Sequence, residues 1–522
     1  MVAGVVATAC TTDDDAVGGT TTTTLPAPSV LVRVGAEDWP DCLNPLTCAD
    51  DALRDLVLRH VLPVAFEFDA DGSYVASSLL ARAPEPIELD DGRVEIRYEI
   101  APESRWADGR PVTSSDFRGT WSAVVSTPGA DTTRYDRIVG VDDTDPAVAV
   151  VTLDGPLIDW QELFGGATGF VLQADAFPSG TDISGAFADE LPMAAGPYQL
   201  AEFDEDVAVL VATDVEDGDE TPTVDQVRID RVDLSDLSDP MTFDVLIPGE
   251  DDPADVPTGF IEQTFDTTRV LGVWFDQRTP VLASLQGRNI VAAVLDRAAL
   301  AGAFGADDVV RCAGWVPDVG PWCDAAATDV RDPDLDLARF ALAQEGWAID
   351  EESGALVRGA EVFGVPVSFD PELDGAEVVA QRITDALADV AIRFETGPVA
   401  SSVWNGPRPS EQSTGVGVFA RDLGPTPRVD DLYGCQAGAG ATVFGACPST
   451  VTDPARALGG VSGDDARDLI ASLGEAVDAE TLWLPISRVP GRVFVADSVR
   501  RPESVPALSG PLGGLELLDI DE

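Results

Sequence analysis

The chain has 522 residues, of which 45% are apolar, and it carries a formal net charge of −61. A chain of this length exceeds one hydrophobic core, so two or three globular domains are expected. All 32 basic residues are arginine, and a surface this acidic repels nucleic acid and anionic lipid head groups, which bind through clustered cations.

The missing lysines exclude further chemistry. A Walker A loop and a pyridoxal phosphate site each need a lysine. The sequence also has no G-x-S-x-G, H-E-x-x-H or C-x-x-C motif. We therefore predict a protein that is not an enzyme and uses no cofactor and no metal. The acids are spread along the whole chain, which favours a solubility or salt adaptation over a dedicated site for cationic ligands.

The N-terminal residues MVAGVVATAC resemble the end of a bacterial lipoprotein signal, in which Cys10 would become the lipidated N-terminus. The apolar run is too short to span a bilayer and lacks a basic start, which an upstream start site would explain. Residues 11–29 are rich in threonine and carry no core-forming pattern, so we expect a disordered tether. The resulting localisation is the outer face of the cytoplasmic membrane, or the periplasm.

Six cysteines remain when Cys10 is set aside. Six cysteines allow 15 connectivities, and the simplest joins sequence neighbours. Metal binding is the alternative, but no pair has zinc-like spacing and the chain has one histidine. We predict an oxidising compartment and three disulfides, formed by Cys42 with Cys48, Cys312 with Cys323, and Cys435 with Cys447.

The first predicted helix, 51–62, contains that lone histidine, His60. A histidine can act as a general base, but His60 follows the apolar spacing of Leu53, Leu56 and Val57. This pattern favours a structural histidine at the edge of a core.

A strand, a turn and a helix follow one another between residues 94 and 125. Apolar residues alternate from Val94 to Ile100, which predicts a half-buried strand. Asp108 and Gly109 favour a chain reversal. Thr113 is placed to cap a helix, with Asp116 three residues later.

The turn and helix start read SRWADGRPVTSSDF and resemble the pattern W-x-D-G-x-P-V-T-x-x-D-F of family 5 of the bacterial extracellular solute-binding proteins, the peptide- and nickel-binding class that serves ABC importers. Other segments resemble the same family in chain order. They are Leu43-Asn44-Pro45, FEFDADGSYVASSLLA (66–81), AGPY (195–198), the segment 271–300, CAGWVPDVGPWC (312–323) and the helix-forming segment 332–347. The resemblance covers about residues 30–500.

The resemblance implies an α/β fold of the two-lobed periplasmic-binding-protein type (type II, cluster C) with an extra inserted domain. Alternating strand and helix patterns in 271–400 agree with this class. The expected division is 1–10 signal remnant, 11–29 tether, 30–66, 193–270 and 470–522 domain I, 67–192 domain II (the insertion), and 271–469 domain III. The 104–117 segment would then be scaffold in domain II.

The resemblance also suggests ligand-binding residues. In peptide-binding members, an aspartate of domain III pairs with the amino terminus of the peptide, and Asp422 stands in that place here. The aromatic residue that follows it in the family is replaced by Leu423, and the family's second aspartate is absent. The alternative for Asp422 is a loop acid that caps a turn. Further candidates are Trp404, which would stack on a ligand, and Trp274, Phe275 and Asn44, which would line the cleft; the alternative for the aromatic residues is a place in the core.

The implied function is the substrate-binding component of an ABC importer. It would capture a peptide or another small polar solute by hinge closure and deliver it to permease subunits in the membrane. We expect a lipid-anchored monomer that binds no nucleic acid. The alternative is a surface receptor or signalling lipoprotein with the same fold and no transport role.

Overall fold

The computed structural model describes residues 30–48, 51–188, 190–213, 222–249, 255–312, 316–400, 403–404, 413–426, 445, 448–502 and 505–520. The predicted lipidation site Cys10, the tether 11–29 and the pair Cys435 and Cys447 lie outside these residues.

The strands occur along the whole described chain. They are β1 (Leu31–Ala36), β2 (Phe66–Phe68), β3 (Tyr74–Ala76), β4 (Ile87–Glu88), β5 (Val94–Glu99), β6 (Ile138–Asp145), β7 (Val148–Leu153), β8 (Tyr198–Phe203), β9 (Val207–Ala212), β10 (Gln226–Arg231), β11 (Val245–Ile247), β12 (Phe260–Phe265), β13 (Arg269–Phe275), β14 (Ala348–Ile349), β15 (Leu356–Arg358), β16 (Glu361–Val362), β17 (Gly364–Phe369), β18 (Arg393–Pro398), β19 (Val416–Asp422), β20 (Trp483–Arg488), β21 (Gly491–Ala496), β22 (Val499–Arg500) and β23 (Asp519–Ile520).

The longer helices lie mostly in the second half of the chain. The α-helices are α1 (Asp51–Leu53), which continues through a π-helical turn (Arg54–Leu58) into α2 (Arg59–Val61), α3 (Ser114–Ser126), α4 (Leu285–Ala293), α5 (Arg297–Phe304), α6 (Cys323–Ala326), α7 (Leu335–Gln344), α8 (Ala376–Ala388), α9 (Ser449–Leu458) and α10 (Gly463–Ala479).

Two sheets form the centres of two lobes. The first has seven strands in the order β12-β21-β11-β1-β10-β9-β8, and β1 runs parallel to both β10 and β11. The second has five strands in the order β18-β17-β19-β13-β20, and β17 runs parallel to β18 and β19. This mixture of parallel strands and covering helices is the expected two-lobed α/β fold.

A four-stranded antiparallel sheet, β4-β5-β7-β6, is inserted in the first lobe between β1 and β8. Its side chains share one continuous hydrophobic core with those of the seven-stranded sheet. The predicted strand 94–100 is confirmed as β5. The predicted cap is also confirmed: Thr113 and Asp116 form a capping box at the start of α3.

The chain passes between the lobes twice. It leaves the first lobe between β12 and β13, and it returns between β20 and β21. The return follows Arg488, later than the boundary at 470 expected from the sequence. The reason is that β20 pairs with β13, while Ile470 and Leu473 of α10 lie in the hydrophobic core of the second lobe.

Candidate functional site

The two lobes touch through the hairpin β2–β3 and its surroundings. Gly320 of the second lobe donates its N–H to the carbonyl of Asp71 at the tip of the hairpin (3.0 Å). Phe68 of the hairpin shares a small apolar cluster with Val319. Arg137, which directly precedes β6 of the inserted sheet, donates to the carbonyl of Gly459 (2.6 Å). The two lobes are therefore joined by direct protein contacts at these points.

Tyr74 links the hairpin to both sides of this interface. Its hydroxyl lies 2.5 Å from Glu162 Oε1 of the first lobe, to which it donates, and 3.1 Å from Thr426 Oγ1 of the second lobe. Glu162 and Thr426 are both buried. One phenol thus joins two segments that lie in different lobes.

The buried carboxyl of Glu162 sits in a polar pocket. Burial raises its pKa, while the positive charge of Arg134 and the hydrogen bond from Tyr74 act in the opposite direction. Arg134 is itself paired with Asp159. The pKa of Tyr74 is raised well above its ordinary value by burial and by the charge of Glu162, so the phenol stays protonated and donates.

The second crossing carries a charged residue, Arg488. Its guanidinium bonds to Asp266, in the first crossing, and to Asp318 of the second lobe (2.9 and 3.2 Å). Burial lowers the pKa of Arg488, but the hydrogen bonds to Asp318 and Asp266 and their negative charges outweigh this effect. The pKa of Arg488 is therefore raised above its ordinary value. This cluster ties both crossings to one loop of the second lobe.

A cavity of about 880 Å³ opens beside the crossings and is lined by both lobes. The first lobe contributes β12 and residues of the C-terminal segment 501–509, and the second lobe contributes 304–310, Asp318 and the end of β20. Acidic side chains outnumber basic ones in its lining, with Glu262, Asp266, Asp307, Asp308 and Asp318 against Arg488 and Arg501. A cavity of this size can hold a small polar solute.

The four candidates Trp274, Phe275, Trp404 and Asn44 are buried. Trp274 stacks on Trp483 with ring centroids 4.5 Å apart, and Trp404 packs on Phe419. None of the four lines the cavity.

The amide of Asn44 donates to the carbonyls of Ile183 (2.6 Å) and Ala186 (3.1 Å). Its Oδ1 accepts from the backbone N–H of Leu46 (2.9 Å). These bonds connect the segment after β1 to the inserted region.

Asp422 is exposed at the end of β19 and also lies outside the cavity lining. Its Oδ1 accepts a hydrogen bond from Thr268 Oγ1 and another from the backbone N–H of Gly424 (2.8 Å). The pKa of Arg54 in the first lobe is raised: burial lowers it, but the charges of Asp55, Asp51 and, more weakly, Asp422 raise it.

Two of the cysteine pairs expected from the sequence are bonded in the structure. Cys42 is joined to Cys48 after β1, and Cys312 to Cys323 in the second lobe. The latter bond closes the loop that carries Asp318 and Gly320, both of which take part in the contacts above.

Sequence reasoning did not select Tyr74, Glu162, Arg488 or the cavity. Glu162 is one of 93 acidic residues and has no motif around it. Arg488 is one of 32 basic residues and has no motif around it either. Their partners are far apart in the chain, so only the fold brings them together.

Within the described ranges, no helix is long and apolar enough to cross a membrane. The same part of the chain has no group of three or more histidine, cysteine, aspartate or glutamate side chains arranged to hold a metal ion.

Comparison with solved structures supports the class of fold, that of the two-lobed periplasmic binding proteins. The periplasmic EDTA-binding protein EppA superposes with a TM-score of 0.76 at 16% identity, covering 96% of this chain and 98% of that one. The oligopeptide-binding protein AppA of Bacillus subtilis, solved with a nonapeptide, gives a TM-score of 0.65 at 15% identity, covering 95% and 100%. At these identities the likeness concerns the fold.

The family follows from the sequence itself. The profile of "Bacterial extracellular solute-binding proteins, family 5 Middle" matches residues 76–421, so the chain belongs to this family. The oligopeptide-binding protein OppA of Mycobacterium tuberculosis is 27% identical over 199 residues, which is 35% of this chain and 31% of OppA. The aligned part thus spans about a third of that relative. The resemblance stated from the sequence is confirmed.

Proposed function

We propose that this chain is the substrate-binding component of an ABC importer, which captures a peptide or another small polar solute and delivers it to permease subunits in the membrane. The observation that carries the proposal is the pair of crossings beside a cavity lined by both lobes. A ligand in such a cavity contacts both lobes only when they are closed. Its binding energy therefore shifts the equilibrium towards the closed arrangement.

The cavity supports a ligand that carries a positive or hydrogen-bond-donating group. Arg488 is neutralised by Asp266 and Asp318, and Glu262 pairs with Arg492 (3.0 Å). Asp307 and Asp308 are exposed residues of the lining, and they add negative charge to it. No chemical step is part of the proposal, because binding and release suffice for transport.

The printed names of the relatives suggest two ligand classes to test first: oligopeptides, from OppA and AppA, and a metal chelator, from EppA. For a peptide, we propose that Asp422 receives the amino terminus. Its Oδ1 is engaged by Thr268 and Gly424, so an ammonium group would approach Oδ2. The same proposal includes Trp404 as a residue that stacks on the ligand, and Asn44, Trp274 and Phe275 as residues that line the cleft.

We also propose that Cys10 carries the lipid anchor and that 11–29 is a tether which lets a monomeric binding protein reach a permease from the outer face of the membrane. Mass spectrometry of the protein purified from membranes tests this directly. A diacylglyceryl mass on Cys10 is expected, and an unmodified Cys10 in membrane-derived protein would contradict it.

A thermal-shift screen tests the ligand. Purified protein is heated with oligopeptide mixtures, with metal–EDTA complexes and with sugars. A ligand at about 100 times its Kd adds about 2.7 kcal/mol of stability, which gives a clear upward shift of Tm. A shift in none of these classes would count against capture of a small solute.

Two matched variants then locate the site. Asp307→Asn with Asp308→Asn removes two charges at the cavity and should weaken binding of the identified ligand. Asp329→Asn with Asp332→Asn removes two exposed charges outside the cavity lining and should not. Equal affinities for the two double variants would place the ligand elsewhere.

Uptake distinguishes an importer component from a receptor. Cells that lack the protein should take up the labelled ligand more slowly, and the intact gene should restore the rate. Unchanged uptake by cells that lack the protein would contradict the transport role and favour a receptor.

A further inference from the structure

One of the contacts between the lobes is made by two turns. One is the turn 69–73 of the hairpin β2–β3, in the first lobe. The other is the loop 316–323 of the second lobe, which contains Gly320. The N–H of Gly320 donates to the carbonyl of Asp71 (3.0 Å), so the two backbones meet directly.

The approach leaves no room for a Cβ on Gly72 and little room for one on Gly320. A Cβ on Gly72 would lie 2.9 Å from the backbone N of Gly320 and 3.2 Å from its Cα. A Cβ on Gly320 would lie 3.0 Å from the carbonyl oxygen of Gly72. The obstructing atoms are backbone atoms, which cannot rotate away. Lobe separation is therefore the simplest relief for an added methyl group.

Further contacts flank the glycine pair. Phe68 of the hairpin packs with Val319, and both join Ala507 and Leu508 of the C-terminal segment. On the other side, the hydroxyl of Tyr74 meets Thr426 Oγ1 (3.1 Å). The hairpin thus makes backbone, apolar and polar contacts with Gly320, Val319 and Thr426 of the second lobe, and these contacts would end if the lobes moved apart.

The loop 316–323 is also fixed by contacts within the second lobe and with the second crossing. The disulfide between Cys312 and Cys323 ties its C-terminal end to the strand-like segment before it. Asp318 bonds to Arg488 in the second crossing. The loop is consequently fixed with respect to the hinge, and its tip is presented to the hairpin in a set position.

We propose that the hairpin 66–76 and the loop 316–323 form a clasp that stabilises the closed arrangement of the lobes without any contribution from the ligand. The clasp sets how much of the unliganded protein is closed. Since apparent affinity scales with the fraction of protein in the binding-competent state, it also sets the affinity for whatever solute the cleft takes. This goes beyond substrate capture, and it holds or fails whichever solute binds.

The test uses a matched pair of glycine variants. Gly72 and Gly92 occupy the same type of turn. In residues 69–73, the N–H of Asp69 donates to the carbonyl of Ser73 (2.9 Å) and the N–H of Gly72 to the carbonyl of Asp69 (3.1 Å). In residues 89–93, the N–H of Leu89 donates to the carbonyl of Arg93 (2.8 Å) and the N–H of Gly92 to the carbonyl of Leu89 (2.9 Å). Both have positive φ, 76° and 84°. A Cβ on Gly92 meets nothing within 4 Å. The two alanine variants therefore share the backbone strain, and only Gly72→Ala wedges the lobes.

Small-angle X-ray scattering of the unliganded full chain reads the result. Gly72→Ala should increase the radius of gyration and the maximum dimension, while Gly92→Ala should match the wild type at a similarly lowered Tm. Equal radii for all three proteins would overturn the clasp. If Gly72→Ala does not fold, Thr426→Val decides, because it removes the partner of Tyr74 in the second lobe and leaves the bond from Tyr74 to Glu162 in place. A larger radius for Thr426→Val supports the clasp, and an unchanged one overturns it.

Discussion

Acid should destabilise this protein through its one histidine. His60 lies in α2, is 5% exposed, and has its ring nearly perpendicular to that of Tyr198. Burial, with a smaller contribution from the positive charge of Arg59, lowers the pKa of His60 from 6.5 to about 4. An unfolded chain would protonate this imidazole near pH 6.5, whereas the folded protein leaves it neutral until about pH 4.

The sign follows from proton counting. Between pH 6.5 and 4 the unfolded state binds more protons than the folded state, so the free energy of unfolding falls as the pH is lowered. The stability present above pH 6.5 is lost progressively, by about 2 kcal/mol at pH 5 and about 3 kcal/mol at pH 4, at about 1.36 kcal/mol for each pH unit. Carboxylates add their own pH dependence, so a control must remove the histidine alone.

The control is His60→Phe, which keeps a buried ring and does not titrate. Urea unfolding at pH 7.5 and pH 5 should show that the wild type loses about 2 kcal/mol more than the variant. If the variant does not fold, an NMR titration of the single imidazole in the wild type gives the answer. Equal losses, or an imidazole midpoint near 6.5 in the folded protein, would refute the reasoning.

Three further changes should lower the free energy of unfolding, measured by urea denaturation. Asn44→Ala leaves two carbonyls without their buried donor and should cost about 1–3 kcal/mol; no loss would contradict a structural role. Asp116→Ala removes the acceptor for the N–H groups of Thr113 and Ala174 and should cost about 2 kcal/mol. Asp116→Asn keeps a side-chain oxygen and should cost less. Equal losses for the two variants would contradict a contribution from these hydrogen bonds. The double variant Cys312→Ser, Cys323→Ser opens a loop with a sequence separation of 11 and should cost about 3 kcal/mol; unchanged stability would show that the bond adds nothing.

Local signals predicted the elements of the fold well. The alternation before the turn gave a strand, since apolar side chains two residues apart share one face, and Val94, Ile96 and Tyr98 are indeed buried. The capping residues Thr113 and Asp116 marked the start of α3, because their side chains satisfy free backbone N–H groups at that end. The alternation and the capping box both involve residues that are close together in the chain, so both can be recognised in the sequence.

The meeting of the lobes was beyond such reasoning. Tyr74 and Thr426 are 352 residues apart, and no periodicity connects them. Gly72 and Gly92 both follow an aspartate in a turn, so the sequence does not distinguish them. In the structure, a Cβ on Gly72 would collide with the backbone of Gly320, whereas a Cβ on Gly92 would meet nothing within 4 Å. The sequence also places the return of the chain to the first lobe at residue 470, before Arg488, because the pairing of β20 with β13 is a long-range contact that a sequence does not reveal.

The candidate ligand residues illustrate a different difficulty. A tryptophan suits both a binding cleft and a core, since its ring buries a large apolar area and its N–H needs one partner. Trp274 is buried against Trp483 and donates to the carbonyl of Phe419 (3.1 Å). Composition and spacing do not separate these two uses, and a ligand-bound structure is the means to do so.

Isothermal titration calorimetry of the purified chain with oligopeptides and metal–EDTA complexes tests the central claim most directly. A solute captured between closing lobes should bind saturably with one molecule per chain and with a negative heat-capacity change, since closure buries apolar surface. Absence of binding by every member of the panel, in protein whose folded state is verified by circular dichroism, would contradict the account.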